Sequence, residues 1–584
     1  MRELQRRRVF RMTAWYILAG WVAIQVASEA LPALKLDDST IRYVWIAVLA
    51  GFPLAVFFSW KYEVTAGGIR RTVATRSAKP GDLRLAATDY VLLSCLALLA
   101  VFGLYNLSGR ALQEGATAQE ILEASHLLPG TIAVLPLENL SPDAEQEYFV
   151  SGMHEALINS LCKVSALRVT SRTSAKLVDT DLTVPMIART LGVANVIEGS
   201  ILREGDRVRV SVQLIDAASD RHLWAETYER AVDDVLGLQA DVARSVALAV
   251  QVKLTSQDEQ QLARSLDIRP DTWESYLKAM FQFRKETLRG REAGIAILEE
   301  ALENDPTSAL AYAGLAQGWS ELGHSFFPVR GAYPRAKAAA DRAIAIDDTL
   351  AEAHLAVGMY KAYYEYDWAG AEASLRRAIE LNPSLVDAWY HLAWLLELFE
   401  RDEEAIEYGE KAVELDPLSP IWSAWLADQY RDAGDYDRAL ELAQSVVALN
   451  PQYPVARYAL GNVYLELGRY EEAIEAHSIL EQRPFWAFAL AQTYAWAGQP
   501  EKALEIAKGY EPLPQNGIPL TIIYAALGDV EQTIYWSRQA WENRLPWSVA
   551  FFSYFTAPRS LYEDPRIQAE ATRYPTPLVP YPKP

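Results

Sequence analysis

Three short stretches, Ala378-Ile-Glu-Leu-Asn-Pro383, Ala412-Val-Glu-Leu-Asp-Pro417 and Val446-Val-Ala-Leu-Asn-Pro451, stand 34 residues apart. Ala371, Ala405, Ala439 and Ala473 keep the same interval. A unit of that length is too short to bury its own apolar face, so its copies must stack into a solenoid and share a core with their neighbours. A solenoid presents one long concave surface. The carboxyl-terminal half of the chain therefore reads as a binding scaffold in preference to a catalyst.

Around these landmarks the units are well registered. Trp389-Tyr-His-Leu392-Ala393 opens one, closed by Ala405, Ala412 and Pro417; Leu426-Ala427, Tyr430, Gly434, Tyr436 and Ala439 mark the next; Leu460-Gly461, Tyr464, Gly468, Tyr470 and Ala473 mark the third. The pattern resembles the tetratricopeptide repeat, which implies two antiparallel helices per unit, with small residues at helix contacts and Pro where one unit ends and the next begins. Weaker copies flank these units: 273–306, 309–348 and 355–383 before, and Tyr494-x3-Gly498 and Tyr524-x3-Gly528 after, the last two 30 residues apart. The array is expected over 270–545 with about eight helix pairs, followed at 546–584 by a cap and a Pro-rich tail. The resemblance implies that the first helix of each unit lines the groove. It would place Tyr390, Trp394, Glu397, Asp428, Arg431, Tyr458 and Asn462 there, as anchors for a protein or peptide partner.

Length and charge bound the rest. At 584 residues the chain is too long for one core. Its net charge of −21 is unevenly spread: residues 1–110 hold 14 Lys and Arg against 7 Asp and Glu, leaving 41 against 69 in the remainder. So acidic a body repels nucleic acid, which favours basic stripes. The two cysteines, Cys95 and Cys162, can form neither a disulfide framework nor a thiolate metal site and read as buried free thiols.

Three apolar segments, 13–34, 43–60 and 90–107, are each close to the length that crosses a bilayer, and Trp and Tyr gather toward their ends. The start (1–12) is basic, as is the loop 61–88 with Lys61, Arg70, Arg71, Arg76, Lys79 and Arg84. The positive-inside rule puts both in the cytoplasm. Three spans then carry everything after about residue 110 across the inner membrane into the periplasm, by way of a linker at 111–129.

Residues 130–255 read as a mixed α/β domain. Thr131–Leu137 and Leu167–Thr170 are expected strands, Tyr148–Val164, 185–191 and Val235–Val252 helices, and 196–202, 207–215 and 222–228 antiparallel strands separated by turn residues. The runs Ile132-Ala-Val-Leu-Pro-Leu-Glu-Asn-Leu-Ser141, Tyr148-Phe-x-x-Gly152-Met-x-Glu155, Glu198-Gly-Ser200, Gln213-Leu-Ile-Asp216 and Leu223-Trp-Ala-Glu226 resemble the domain related to the amino-terminal domain of TolB, whose relatives also occur in flagellar outer-membrane proteins. The resemblance implies an extracytoplasmic, protein-binding, non-enzymatic domain. Regulatory relatives carry a DNA-binding domain ahead of a single span, whereas about 12 residues precede the first span here, which speaks against direct transcriptional control.

No phosphate loop, dinucleotide fingerprint or nucleophile elbow occurs. His154-Glu155 begins like a zinc-protease helix, but Ile158 stands where the second ligand belongs. His391 and His477 read as surface or inter-helix residues. No catalytic residue, cofactor or metal is expected. The expected function is a membrane-anchored scaffold for protein or peptide partners, with a transmembrane sensor as the alternative. A phosphatase reporter fused after residue 120 is expected to be active outside the cytoplasm and one fused within 61–88 inactive; the opposite pattern would remove the three-span topology.

Overall fold

The computed structural model describes residues 62–65, 68–71, 130–141, 146–264, 268–325, 328–483, 485–548 and 559–574. The chain divides into two compact units, Met1–Ser125 and His126–Pro584. Of the first, β1 (Tyr62–Thr65) and β2 (Gly68–Arg71) pair antiparallel with Tyr62 opposite Arg71. The basic loop expected at 61–88 thus contains a hairpin. The three apolar segments, the 111–129 linker and the final residues 575–584 lie outside the described residues. Among the described residues, no helix is long and apolar enough to cross a membrane.

The second unit opens with β3 (Thr131–Val134), β4 (Glu138–Asn139), α1 (Glu147–Cys162), β5 (Arg168–Val169), α2 (Arg172–Leu177), α3 (Val184–Leu191), β6 (Asn195–Glu204), β7 (Arg207–Asp216), β8 (Arg221–Ala231), α4 (Val235–Ala249) and α5 (Ser256–Arg264). The strands run β5-β3-β6-β7-β8, with β4 beside β6; β3 is parallel to β5 and β6, and β6, β7 and β8 are antiparallel. Side chains alternate across β3: Ile132 and Val134 enter one core with α1 and α4, while Ala133 and Leu135 enter another with α3. That double burial explains the uninterrupted apolar run at 132–135. Two details depart from expectation. Glu138 and Asn139, beyond the expected strand, extend the sheet by pairing with Ser200 and Ile201, and α2 and α5 form where no helix was expected.

The array follows as eight helix pairs: α6 (Pro270–Phe283) and α7 (Leu288–Asn304); α8 (Ala309–Gly323) and α9 (Ala332–Ile346); α10 (Ala351–Tyr360) and α11 (Trp368–Leu381); α12 (Val386–Glu397) and α13 (Asp402–Leu415); α14 (Pro420–Asp432) and α15 (Tyr436–Leu449); α16 (Pro454–Glu466) and α17 (Tyr470–Ser478); α18 (Ala487–Trp496) and α19 (Pro500–Gly509); α20 (Gly517–Ala526) and α21 (Val530–Glu542). Two short helices, α22 (Arg559–Tyr562) and α23 (Pro565–Ala571), cap the end. Ala371, Ala405, Ala439 and Ala473 are fully buried, as helix contacts without room for a larger side chain require. Within pairs, Gly434, Gly468, Gly498 and Gly528 take the left-handed conformation that ends the first helix. Between pairs, Asp305, Asp347, Asn382, Asp416 and Asn450 share one extended geometry, with φ from −137° to −142°.

Three of those linker residues close a local turn. Asp305 accepts from the Thr307 N–H, Asp347 from Thr349 and Asn382 from Ser384. Asp416 does something else. Its Oδ1 accepts from the Ser171 hydroxyl, the Ser174 hydroxyl at 2.6 Å and the Ser174 N–H at 3.1 Å, and its Oδ2 accepts from Trp422 Nε1 at 3.0 Å. Ser174 Oγ in turn accepts the Leu418 N–H at 2.8 Å, the donor that a local turn would have satisfied. Asp416 therefore caps α2 from more than 240 residues away. Beside it, Ser171 N–H donates to the Leu415 carbonyl and Val169 N–H to Ser384 Oγ, which covers the free edge of β5. Farther along, α1 lies against α6: Leu277 sits so close to Gly152 that an added Cβ would come within 2.9 Å of it. Tyr148 donates to Glu274 at 2.6 Å and Arg284 pairs with Glu155. The sheet domain and the array thus form one body.

Truncating Asp416 leaves buried donors unsatisfied, whereas the nearby Arg168–Glu414 pair is half exposed. Asp416→Ala should cost roughly 3 kcal/mol and speed amide exchange across 168–178, while Glu414→Ala should cost less than about 1 kcal/mol. Equal denaturation midpoints for the two variants would show that the bridge does not hold the body together.

Candidate functional site

The first helices of neighbouring pairs touch one another at α6–α8, α8–α10, α14–α16 and α18–α20, while second helices make no comparable contact among themselves. First helices therefore line the inner side of the curve and second helices the outer. The 34-residue interval sets the residues of this wall in rows: 394, 428 and 462 share one, 397 and 431 another, 390 and 458 a third.

All seven groove residues expected from the repeat pattern lie on these helices, but most are not open. Trp394, Glu397, Asp428, Arg431, Tyr458 and Asn462 are buried, and Tyr390 is half-buried. Trp394 packs against Tyr363 with ring centroids 4.5 Å apart, inside a cluster with Met359, Leu375 and Leu395. It is a core residue, and the expectation that it reaches a partner is corrected accordingly. Arg431 pairs with Asp428 and with Asp432 at 2.7 Å. Burial pushes the Asp428 carboxyl up to about 6 even beside Arg431. Tyr458 is enclosed by Trp425, His477, Trp486 and Phe488, at centroid distances of 5.2–6.4 Å. Large side chains from successive first helices fill the concavity, a filling that helix register alone does not disclose.

Part of the wall is closed by the end of the array. Trp541 stacks on Tyr366 at 4.6 Å, Arg544 donates to the Tyr364 carbonyl at 3.1 Å, and Trp547 meets His324 at 4.8 Å. The last pair thus returns to the second and third. The backbones of α12 and α14, like those of α16 and α18, approach less closely than those of the other neighbouring first helices, and Tyr390 of α12 meets Trp422 and Trp425 of α14. These three rings remain part exposed. Asp387, one helical turn before Tyr390 on the same face, is exposed. Its position was readable from the three-residue step to Tyr390. The Trp422 and Trp425 contribution was not, because they stand outside the rows that the repeat pattern assigns to the groove.

His154, His391 and His477 are buried and His324 is part-buried. His154 Nε2 donates to the Val134 carbonyl at 2.8 Å, so it serves the fold of the sheet domain. His477 fills the space left by Gly461 and bonds Thr493 at 2.8 Å and the Tyr458 carbonyl at 3.1 Å. His324 Nδ1 and His391 Nδ1 share hydrogen bonds with the Tyr333 and Tyr363 hydroxyls, at 3.0 and 2.9 Å, and the two imidazoles pack edge to face. His391 and His477 are inter-helix residues, not surface ones. Burial lowers His154 and His477 to about 4 and His324 to about 3, and lowers His391 well below the ordinary value, with His324 beside it adding to the shift. Cys162 is a buried free thiol that burial pushes up to about 12; Cys95 lies outside the described residues. Among the described residues no three His, Cys, Asp or Glu side chains come together as a metal site.

Each such histidine binds its proton more weakly folded than unfolded, so its contribution is complete above about pH 6.5 and is lost as pH falls toward its folded value, at about 1.4 kcal/mol per pH unit. Relative to His477→Gln, the native chain should therefore lose stability between pH 6.5 and 4, read from paired denaturation curves. A pH-independent difference would mean that His477 titrates normally.

Two tetratricopeptide repeat family profiles match the chain, over residues 361–420 and 430–485. A Rhizobium meliloti (strain 1021) protein named "Putative adenylate cyclase 3" is 37% identical over 194 residues, and the match spans 32% of this chain and 32% of that protein. Among solved structures, YrrB, described as a TPR protein with an unusual peptide-binding site, is 23% identical over 33% of this chain and 96% of its own, with a TM-score of 0.26. Pseudomonas aeruginosa pilF is 19% identical over 36% and 91%, with a TM-score of 0.30. The APC/C hetero-tetramer Cut9-Hcn1 is 16% identical over 58% and 62%, with a TM-score of 0.35. The carboxyl-terminal region is thus built on tetratricopeptide repeats, matched directly over the two central stretches and continued by helix pairs of the same form on either side.

Proposed function

We propose that this chain is a membrane-anchored scaffold that holds protein or peptide partners on the inner wall of its repeat array, with the sheet domain as a second, rigidly attached contact surface. The observation that carries the reading is the part-exposed aromatic set Tyr390, Trp422 and Trp425, whose rings meet between two first helices. Half-buried aromatic rings supply contact area at small entropic cost and are favoured anchors in interfaces. The anchoring role of the first 110 residues rests on their apolar segments, and the periplasmic placement of the body rests on the basic loops of that region. The cyclase named in the comparison is matched over about a third of its length, so what this chain shares with it is that segment.

The sensor reading is favoured by one feature, the single body formed by sheet domain and array. A change at the wall could pass through Asp416 to the domain that follows the membrane segments. Exchanging residues 1–110 for an unrelated anchor separates the two readings, because a scaffold keeps working and a sensor does not. The groove itself is tested by Tyr390→Ala combined with Trp425→Ala. Partner capture by the immobilised full chain should fall by about 1 kcal/mol or more per ring, with helicity unchanged in circular dichroism. Undiminished capture by a well-folded double variant would move the binding surface to the outer helices or to the sheet domain.

A further inference from the structure

The carboxylates of the inner wall are mostly answered by bases. Glu321 has Arg291 at 2.9 Å, Asp428 has Arg431, and Glu352 faces Lys163. Asp387 differs. It forms no ion pair among the described residues, and the charges that act on it are those of Glu321 and Asp416, both acidic. Asp416 is already engaged by Ser171, Ser174 and Trp422 and has nothing to offer it. Asp387 is exposed at the start of α12. Enclosure and the two acids push its carboxyl up to about 6.

Three part-exposed aromatic rings follow it across α12 and α14. Tyr390 lies one turn along α12 from Asp387, and its centroid is 4.9 Å from Trp422 and 6.4 Å from Trp425. Ring faces attract cations, more strongly as water is excluded. A lone carboxylate beside such faces lacks only a positive charge. The compact ammonium of lysine, a point charge on an apolar stem, matches one carboxylate and a ring wall better than a planar fork made for two oxygens.

We propose that Asp387, Tyr390, Trp422 and Trp425 form a recess that takes the lysine ammonium of a basic, extended segment of a partner protein. The inference rests on the scaffold reading and names the chemistry of its partner. The stem lies along the rings and the ammonium reaches Asp387, whose missing counter-charge it supplies. The surrounding acidic body draws a basic segment in and repels an acidic one.

The test uses the purified full chain and three dye-labelled dodecapeptides, (Gly-Ser-Lys)4, the same peptide acetylated at every Nζ, and (Gly-Ser-Glu)4, followed by fluorescence anisotropy at physiological salt. The lysine peptide should bind, acetylation should weaken it about tenfold or more, and the glutamate peptide should not bind. Asp387→Asn should weaken the lysine peptide by a similar factor while melting no lower than the native chain, since it removes an uncompensated charge. Trp425→Leu should weaken it as well, which general attraction to an acidic surface would not produce. Equal binding of the acetylated peptide, or unchanged binding by Asp387→Asn, overturns the assignment. Competition by spermidine at peptide-like concentrations overturns it in favour of a free polyamine. Tight binding of the glutamate peptide, lost in Trp425→Leu, would sink the lysine assignment and leave the scaffold reading standing, whereas binding of none of the three would remove this wall from both.

Discussion

The Asp416 carboxylate ties the sheet domain to the middle of the repeat array. In three other linkers of the array the equivalent Asp or Asn side chain closes its own turn. At 416 that local bond is exchanged for bonds to α2, and Ser174 repays the exposed Leu418 N–H. Every donor remains satisfied, so the exchange costs the linker little while it ties the sheet domain to the fourth pair. Around this point Leu418 enters the second core of the sheet domain and the array covers the short edge strand. The relative placement of sheet and array therefore depends on a few polar atoms at their centre, with apolar packing at Gly152 and Leu277 holding the other end.

Fixing the sheet domain there leaves the inner wall free to be shaped by its own side chains. Repeat proteins with small inward residues keep an open groove. Here Trp394, Tyr458, Trp486 and Phe488 point inward and fill it, and the returning segment at 541–547 closes a further part. Between α12 and α14, Tyr390 meets Trp422 and Trp425, and all three rings stay part exposed. The same residue class thus seals one stretch of the wall and leaves rings part exposed in another.

The electrostatics follow the packing. Burial weakens proton binding by the enclosed histidines, and His391 and His477 serve as hydrogen-bonding spacers between helices. Acids on the wall survive burial where a base from the same or the next helix reaches them, as Arg431 reaches Asp428. Asp387 keeps its solvent exposure instead of a partner, and this makes it chemically distinct among its neighbours.

The 34-residue interval, the buried alanines and the Pro-ended linkers were enough to establish eight helix pairs and their register, because short-range periodicity fixes which face of each helix is apolar. The alternating strands of 196–228 were legible for the same reason, and the two-sided burial of 132–135 showed as an unbroken apolar run. The row assignment put Tyr390, Trp394, Asp428 and Arg431 on one wall, where they are. It did not reveal that Trp394 is sealed beneath Tyr363, that Asp387 is unpaired, or that Asp416 leaves its own turn for Ser174. Those facts depend on residues 30 to 240 positions apart, and on curvature that brings the eighth pair back to the second. Periodicity describes each helix against its neighbours; only the closed superhelix decides which inward side chains meet each other and which are left to meet a partner.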